Sequence, residues 1–330
     1  MDVTDLLARA LTAGASDLHL AAGEPPLLRV DGELHRLELP ALTAHALEHG
    51  LGALLDGAQR EQWARGDELD LALDLPGVGR SRLNLFRQRN GPGACLRLIP
   101  AGIPSVEALG LEQVSDALAR CQDGLVLVGG PTGSGKSSTL AALLDRLNER
   151  CAQHIVTLED PVEFLHAGRR SLLNQREIGR DCRSFAHGLR SALRQDPDVI
   201  MIGELRDLPS IRLALRAAET GHLVLATVHT RSAVSCVDRL VDVFAAEEKP
   251  LVRAMLAEAL RLVVAQVLLK RKGGGRVAAR EVLVATPAVR NLIREGRMAQ
   301  VPSLMQTGAG QGMITLQAAM QALREQGVIE

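Results

Sequence analysis

Aromatic side chains are nearly missing from this 330-residue chain, which has four Phe, one Trp and no Tyr. Proteins that track single-stranded nucleic acid stack bases on aromatic platforms, so the shortage argues against that role. An excess of either charge is also absent, with 38 Lys plus Arg against 39 Asp plus Glu. That balance excludes a polybasic nucleic-acid binder and an acidic disordered tail, and a 46% apolar content describes a soluble globular protein. The five cysteines (Cys95, Cys121, Cys151, Cys182, Cys236) contain no Cys-x-x-Cys pair. Neither a zinc site nor a disulfide frame is expected, and the thiols read as reduced cytosolic ones. No long uncharged hydrophobic run occurs either. The most apolar stretch, LVRAMLAEALRLVVAQVLLK at 251–270, is interrupted by Arg253, Glu258 and Arg261. A membrane span needs about 20 mostly apolar residues, and each central charge costs roughly 2.5–3.5 kcal/mol, so a core or interface helix is predicted there. The opening residues, MDVTDLLARALTAGASDLHL, show no basic n-region, and no signal peptide is expected.

What is present divides into two textures. Residues 1–98 open on a helix-like segment, continue in short alternating runs such as PLLRVDGELHRL and ELDLALDL, and close on GRSRLNLFRQRNGPGACLRLIP. The last of these predicts a hairpin with Asn90-Gly91 as its turn, and the whole a small α+β domain. IPAGIPSVEALG, residues 99–110, with Pro100 and Pro104, reads as a linker or hinge, leaving 111–330 as the second domain. There, apolar runs of strand length alternate with helical segments: GLVLVGG (124–130), HIVTLED (154–160), DVIMIGE (198–204) and HLVLATV (222–228). Between them lie SSTLAALLDRLNER and LPSIRLALRAAETG, the latter with Asp207 as cap and Pro209 in its first turn. Apolar strands separated by helices predict an α/β fold with a mainly parallel sheet covered on both faces. From about residue 250 onward the chain reads as mostly helical.

GGPTGSGKSS, residues 129–138, sits where a strand gives way to a helix, and Gly130 to Ser137 fits G-x-x-x-x-G-K-[ST]. Gly130, Gly133 and Gly135 let the backbone of the stretch Gly130, Pro131, Thr132, Gly133, Ser134, Gly135, Lys136, Ser137, Ser138 curl so that its successive N–H groups, which all but Pro131 carry, face phosphate oxygens. The helix that follows adds its positive end. Lys136 is suited to neutralising β/γ charge and the Ser137 hydroxyl to ligating Mg²⁺. Lysine otherwise stands only at 249, 270 and 272, so a chance match is improbable. ATP with Mg²⁺ is the expected cofactor.

Hydrolysis also needs a carboxylate near the metal, a group that orients water, and positive charge for the transition state. DVIMIGE ends a buried strand with Glu204, at the edge where a parallel sheet presents its ligand site. LEDPVEF ends another with Glu159, Asp160 and Glu163, and TGHLVLATVHT places His222 and His229 at either end of a third. In this arrangement the chain resembles the secretion-superfamily AAA-type ATPases of type II secretion and type IV pili, over nearly its full length. The resemblance rests on SDLHL (16–20), RVDGELHRL (29–37), GPTGSGKSS, TLEDPVEF (157–164), NQREIGRD (174–181), ALRQDPDVIMIGELRD (192–207), AAETGHLVLATVHT (217–230), GGGRVAAREVL (273–283) and TPAVRNLIRE (286–295).

The family implies a RecA/AAA-like P-loop core preceded by a PAS-like α+β domain. It implies that Glu204 holds Mg²⁺ from the Walker B position, that Glu163 polarises the attacking water in preference to Glu204, and that Glu159 and Asp160 lie against the nucleotide. It gives His222 and His229 the sensing of the γ-phosphate and the neighbouring subunit. From the residues alone Arg80, Arg82 and Arg97 read as solvated hairpin charges; the resemblance makes Arg82 and Arg97, and less directly Arg80, arginine fingers, each typically worth 10³–10⁵ in rate.

Within the family the retraction branch is favoured. Assembly ATPases carry a tetracysteine zinc module and a long N-terminal extension, and neither is expected here. In TPAVRNLIRE, Thr286 can cap, Pro287 opens a helix, and Val289, Leu292 and Ile293 form a stripe away from Arg290 and Arg294. That segment is similar to a motif needed for retraction. Arg231, Gly179 and Val289 depart from the usual threonine, histidine and isoleucine, which keeps a paralogous accessory ATPase, or one serving secretion or assembly, as the alternative. The resemblance implies a homohexameric cytoplasmic ring at the inner membrane beneath the pilus, working on a platform protein, with a sister ATPase as a further partner and no nucleic acid. A nucleic-acid motor and a non-hydrolysing scaffold are the competing classes.

Overall fold

The computed structural model describes residues 2–99 and 102–330. The chain divides into two compact units, Met1–Gly102 and Ile103–Glu330. Pro100 and Ala101 of the expected linker lie outside the described residues. Its later part belongs to the second unit, where Val106 is buried with Leu111 and Arg280 donates from Nη1 to Leu109 O at 2.6 Å.

The first unit is a six-stranded antiparallel sheet in the order β3-β2-β1-β6-β5-β4. Its strands are β1 (Asp17–Ala21), β2 (Leu27–Val30), β3 (Glu33–Arg36), β4 (Leu69–Leu75), β5 (Gly79–Gln88) and β6 (Gly91–Leu98). Alternation decides its faces: Leu18, Leu28, Leu69, Leu83, Leu85 and Leu96 join one core with α1 (Val3–Thr12), α2 (Ala44–Gly52) and α3 (Gly57–Ala64). β5 and β6 form the expected hairpin, with Gln88 opposite Gly91. At φ +127°, Gly91 has no room for a side chain, since a Cβ there would lie 2.8 Å from Ala44 Cβ.

The second unit carries a seven-stranded sheet in the order β13-β12-β7-β11-β10-β8-β9. Its strands are β7 (Gly124–Gly129), β8 (His154–Glu159), β9 (Leu172–Glu177), β10 (Val199–Ile202), β11 (Leu223–Val228), β12 (Leu260–Lys270) and β13 (Arg276–Val284). All neighbours run parallel except β13, which is antiparallel to β12. The apolar runs follow from burial on both faces. In β7, Leu125 and Leu127 enter one core while Val126 and Val128 enter the other. Helices α4 (Glu112–Ala119) and α5 (Lys136–Arg150) line the second of these cores. Helices α6 (Phe185–Ala192), α7 (Leu208–Glu219), α8 (Ala233–Asp242), α9 (Lys249–Ala259), α10 (Pro287–Glu295) and α11 (Val301–Thr307) contribute to the first, and α12 (Leu316–Glu325) closes the chain. Asp207 caps α7 by accepting from Ser210 N–H at 2.7 Å.

The stretch 251–270 is not one helix. It is helical to Ala259 and then becomes β12, so the carboxyl-terminal region also contains the β12–β13 hairpin. Val263 faces one core and Leu262 and Val264 the other, an alternation that a run of unbroken hydrophobicity conceals. Arg261, which interrupts the run, reaches Asp123 at 2.5 Å. α10 forms as expected, with Thr286 as cap and Val289, Leu292 and Ile293 buried. Its cationic residues are engaged: Arg294 pairs with Glu258 at 2.5 Å and Arg290 donates to Ala285 O at 2.9 Å. No helix among the described residues is long and apolar enough to cross a membrane.

Candidate functional site

Parallel strands end on one edge of a sheet, and the chain leaves β7, β8, β10 and β11 carrying polar residues onto that edge. After β7, the loop from Gly130 to Gly135 turns into α5. Gly133 and Gly135 take φ of +74° and +86°, the left-handed region that glycine enters at no steric cost. At Gly130, with φ +154°, a Cβ would sit 2.3 Å from Ser134 Oγ and 2.6 Å from Gln266 O. Backbone strain of this kind costs about 1–3 kcal/mol. Gly130→Ala is therefore expected to lower the thermal midpoint and remove nucleotide binding together, which a melting curve with and without ADP would show.

Lys136 is the first residue of α5, and only 9% of its surface is exposed. Its ammonium donates to Gly130 O at 2.9 Å and Pro131 O at 3.0 Å, so the cation is folded over the loop. Burial pulls its pKa below the ordinary lysine value, while the charges of Glu204 and Glu163 act the other way. Ser137 and Thr132 are exposed on the same turn. Left-handed glycines, a buried cation and a helix N-terminus are the donor set that a polyphosphate requires. The Ser137 hydroxyl and the Glu204 carboxylate are the oxygen ligands suited to Mg²⁺.

Glu204, two residues beyond β10, lies 2.5 Å from Arg206 Nε and 3.3 Å from His229 Nε2. His229 follows β11 directly. Burial, helped by Lys136 and opposed by Glu204, holds its imidazole below the usual histidine range, so the ring is neutral at pH 7. Glu163, half-buried, is in electrostatic reach of Lys136 and has no ion pair among the described residues. Glu159 ends β8, yet its carboxylate is buried and accepts from Thr157 Oγ1 at 2.6 Å and Gln175 Nε2 at 3.2 Å. Burial pushes its pKa up. Both of these bonds end on Oε1, inside the protein, while Asp160 beside it is exposed.

His222 stands apart from this group. It precedes β11, whose backbone partner at that end is Gly124, the start of β7. His229 lies seven positions further on, roughly 23 Å at ~3.3 Å per residue, so His222 stands on the opposite sheet edge from its own phosphate loop. Its Nδ1–H donates to Ala217 O at 3.0 Å, closing the end of α7. The three arginines belong to the first unit and have aspartate partners there. Arg80 meets Asp74 at 2.6 Å, Arg82 meets Asp70 through Nε at 2.9 Å and Nη2 at 2.5 Å, and Arg97 Nε meets Asp17 at 3.0 Å. Arg82 and Arg97 are cross-strand neighbours on one sheet face.

Two residues that sequence reasoning passed over lie in the β12–β13 hairpin. Gln266, 1% exposed, donates from Nε2 to Ser134 O at 2.6 Å and accepts from Thr139 Oγ1 at 2.9 Å. Glu281 accepts the Ala233 N–H at 2.6 Å and so anchors the start of α8, just after the segment carrying His229. No local motif marks Gln266; Glu281 lies within GGGRVAAREVL but is given no role there. The available signal was a lone glutamine within the apolar run 262–269.

A phosphate loop on a parallel sheet, with a lysine, two carboxylates and a histidine gathered at the strand ends, defines a P-loop nucleotide-binding protein. The match of residues 1–327 to the family described as "Type II/IV secretion system protein" makes the identity narrower: the chain belongs to that family. It is 51% identical to the Pseudomonas aeruginosa protein named "Type IV pilus retractation ATPase PilT", across 100% of this chain and 96% of that one. It is 48% identical to a Neisseria gonorrhoeae "Twitching motility protein", covering 92% and 82% of the two chains. A solved structure of the pilus retraction motor PilT with bound ADP superposes with a TM-score of 0.85 at 43% identity, covering 98% of this chain and 97% of that one. The fold is that of the PilT-type ATPases.

Proposed function

We propose that the chain is an ATPase motor that drives withdrawal of type IV pili for twitching motility. The observation that carries the reading is the group Lys136, Glu163, Glu204 and His229 around a glycine loop, in a chain so similar to a pilus retraction ATPase. ATP is the substrate. Its phosphates lie on the 130–138 backbone amides, with Lys136 turning from Gly130 O and Pro131 O toward the β/γ oxygens. Ser137 and, through water, Glu204 would hold Mg²⁺, which would supply charge neutralisation. Glu204 is already paired with Arg206 and His229, whereas Glu163 has no ion pair to give up; this division supports Glu163 as the group that takes the water's proton. His229, neutral and bonded to Glu204, is suited to reading the γ-phosphate. Arg82 and Arg97, with Arg80, supply transition-state charge when released from Asp70, Asp17 and Asp74. A homohexameric ring, a membrane platform protein and a sister ATPase complete the assembly. In it His222, remote from its own loop, meets a neighbouring subunit.

Deleting the gene in its host tests the direction of work. Persistent, over-abundant pili without twitching are expected, and loss of pili would assign the protein to assembly instead. Duplex and single-stranded DNA are expected to leave the ATPase rate unchanged; stimulation would favour a nucleic-acid motor.

A further inference from the structure

We propose that Gln266 is a positioning residue that aims the phosphate loop from the neighbouring strand. The inference rests on the nucleotide reading given above. Ala265 pairs with Gly129, which puts Gln266 level with Gly130, at the point where β7 becomes the loop. Both ends of its buried amide are used: Nε2 donates to Ser134 O, and Oε1 accepts from the Thr139 hydroxyl in the first turn of α5. The carbonyl at Ser134 can only accept, so the orientation of the amide is determined. A trans peptide is planar, with its C=O and N–H pointing in opposite directions. Drawing the Ser134 carbonyl inward therefore turns the N–H of Gly135 outward, to the side on which a phosphate binds. Lys136 holds the start of the loop at Gly130 O and Pro131 O; nearer Ser134 the glycines have no side chains, and among the described residues the Ser134 hydroxyl has no hydrogen-bond partner. The fit is close on the strand side, where a Cβ on Gly135 would come within 3.2 Å of Gln266 Nε2.

ADP titration and steady-state ATP hydrolysis by the full chain test this, with the unaltered protein as reference. Gln266→Met keeps length and volume but removes both polar atoms. It is expected to weaken ADP binding about tenfold or more and to raise KM for ATP by a similar factor, with kcat changed far less, because one amide–phosphate bond is misdirected. Thr139 separates bridging from packing and serves even if Gln266→Met fails to fold. Thr139→Ser keeps the hydroxyl and should bind ADP as the unaltered chain does, whereas Thr139→Val keeps the shape and should lose affinity. The reverse order, or an ADP affinity for Gln266→Met within twofold of the reference, overturns the proposal. Failure of the unaltered chain to bind ADP overturns the nucleotide reading, and this inference with it.

Discussion

Lys136→Ala is expected to reduce ATP and ADP affinity by tenfold to more than a hundredfold and to bring turnover to background. A charge-assisted hydrogen bond contributes about 1.5–3 kcal/mol, and each 1.4 kcal/mol is a factor of ten in binding. The lysine stands where that contribution is available, since it is buried at the start of α5 and, among the described residues, bonded only to carbonyls of its own loop. Folding should survive the change. The side chain's removal relieves the desolvation that holds its pKa down, although Gly130 O and Pro131 O lose a donor. Isothermal titration with ADP, beside a melting curve, checks both halves. Nucleotide affinity equal to that of the unaltered chain would mean that the loop does not bind phosphates.

Glu163→Gln is expected to leave nucleotide affinity within a few-fold of normal while slowing hydrolysis by about 10²–10⁴, the usual contribution of a positioned general base. The amide keeps the shape and removes the basic lone pair. Glu204→Gln should behave differently. It disturbs the contacts to Arg206 and His229 and the proposed metal ligand at once, so binding of Mg²⁺–ATP should fall along with the rate. Rapid-quench measurement of product from pre-bound ATP distinguishes the two, because it reads the chemical step apart from binding. Normal cleavage in Glu163→Gln together with loss in Glu204→Gln would exchange the two assignments.

The parts of this site that were legible in the sequence are those whose chemistry is local. The glycine loop, Lys136 and the cap of α7 each depend on residues within a few positions of one another, so spacing alone reveals them. The carboxylates at 163 and 204 were legible one step further out, because parallel strands must end on a common edge. Gln266 was not legible, since its partners Ser134 and Thr139 lie more than a hundred residues away. The same apolar run hid the change from α9 to β12: burial on both faces removes the period that separates helix from strand. His222 shows the limit of motif matching. Its place in the histidine segment suggested the γ-phosphate or the neighbouring subunit, and only the length of β11 shows which end of that strand it occupies. Glu159 shows another limit. Position at a strand end does not reveal that Oε1 already accepts from Thr157 and Gln175.

The most direct test of the whole account is to watch fluorescently labelled pili in cells whose only copy of the gene carries Glu163→Gln. Pili that extend normally, never shorten and leave the cells unable to twitch are the predicted result. Pili that retract at the usual speed, or that are never made, would contradict it.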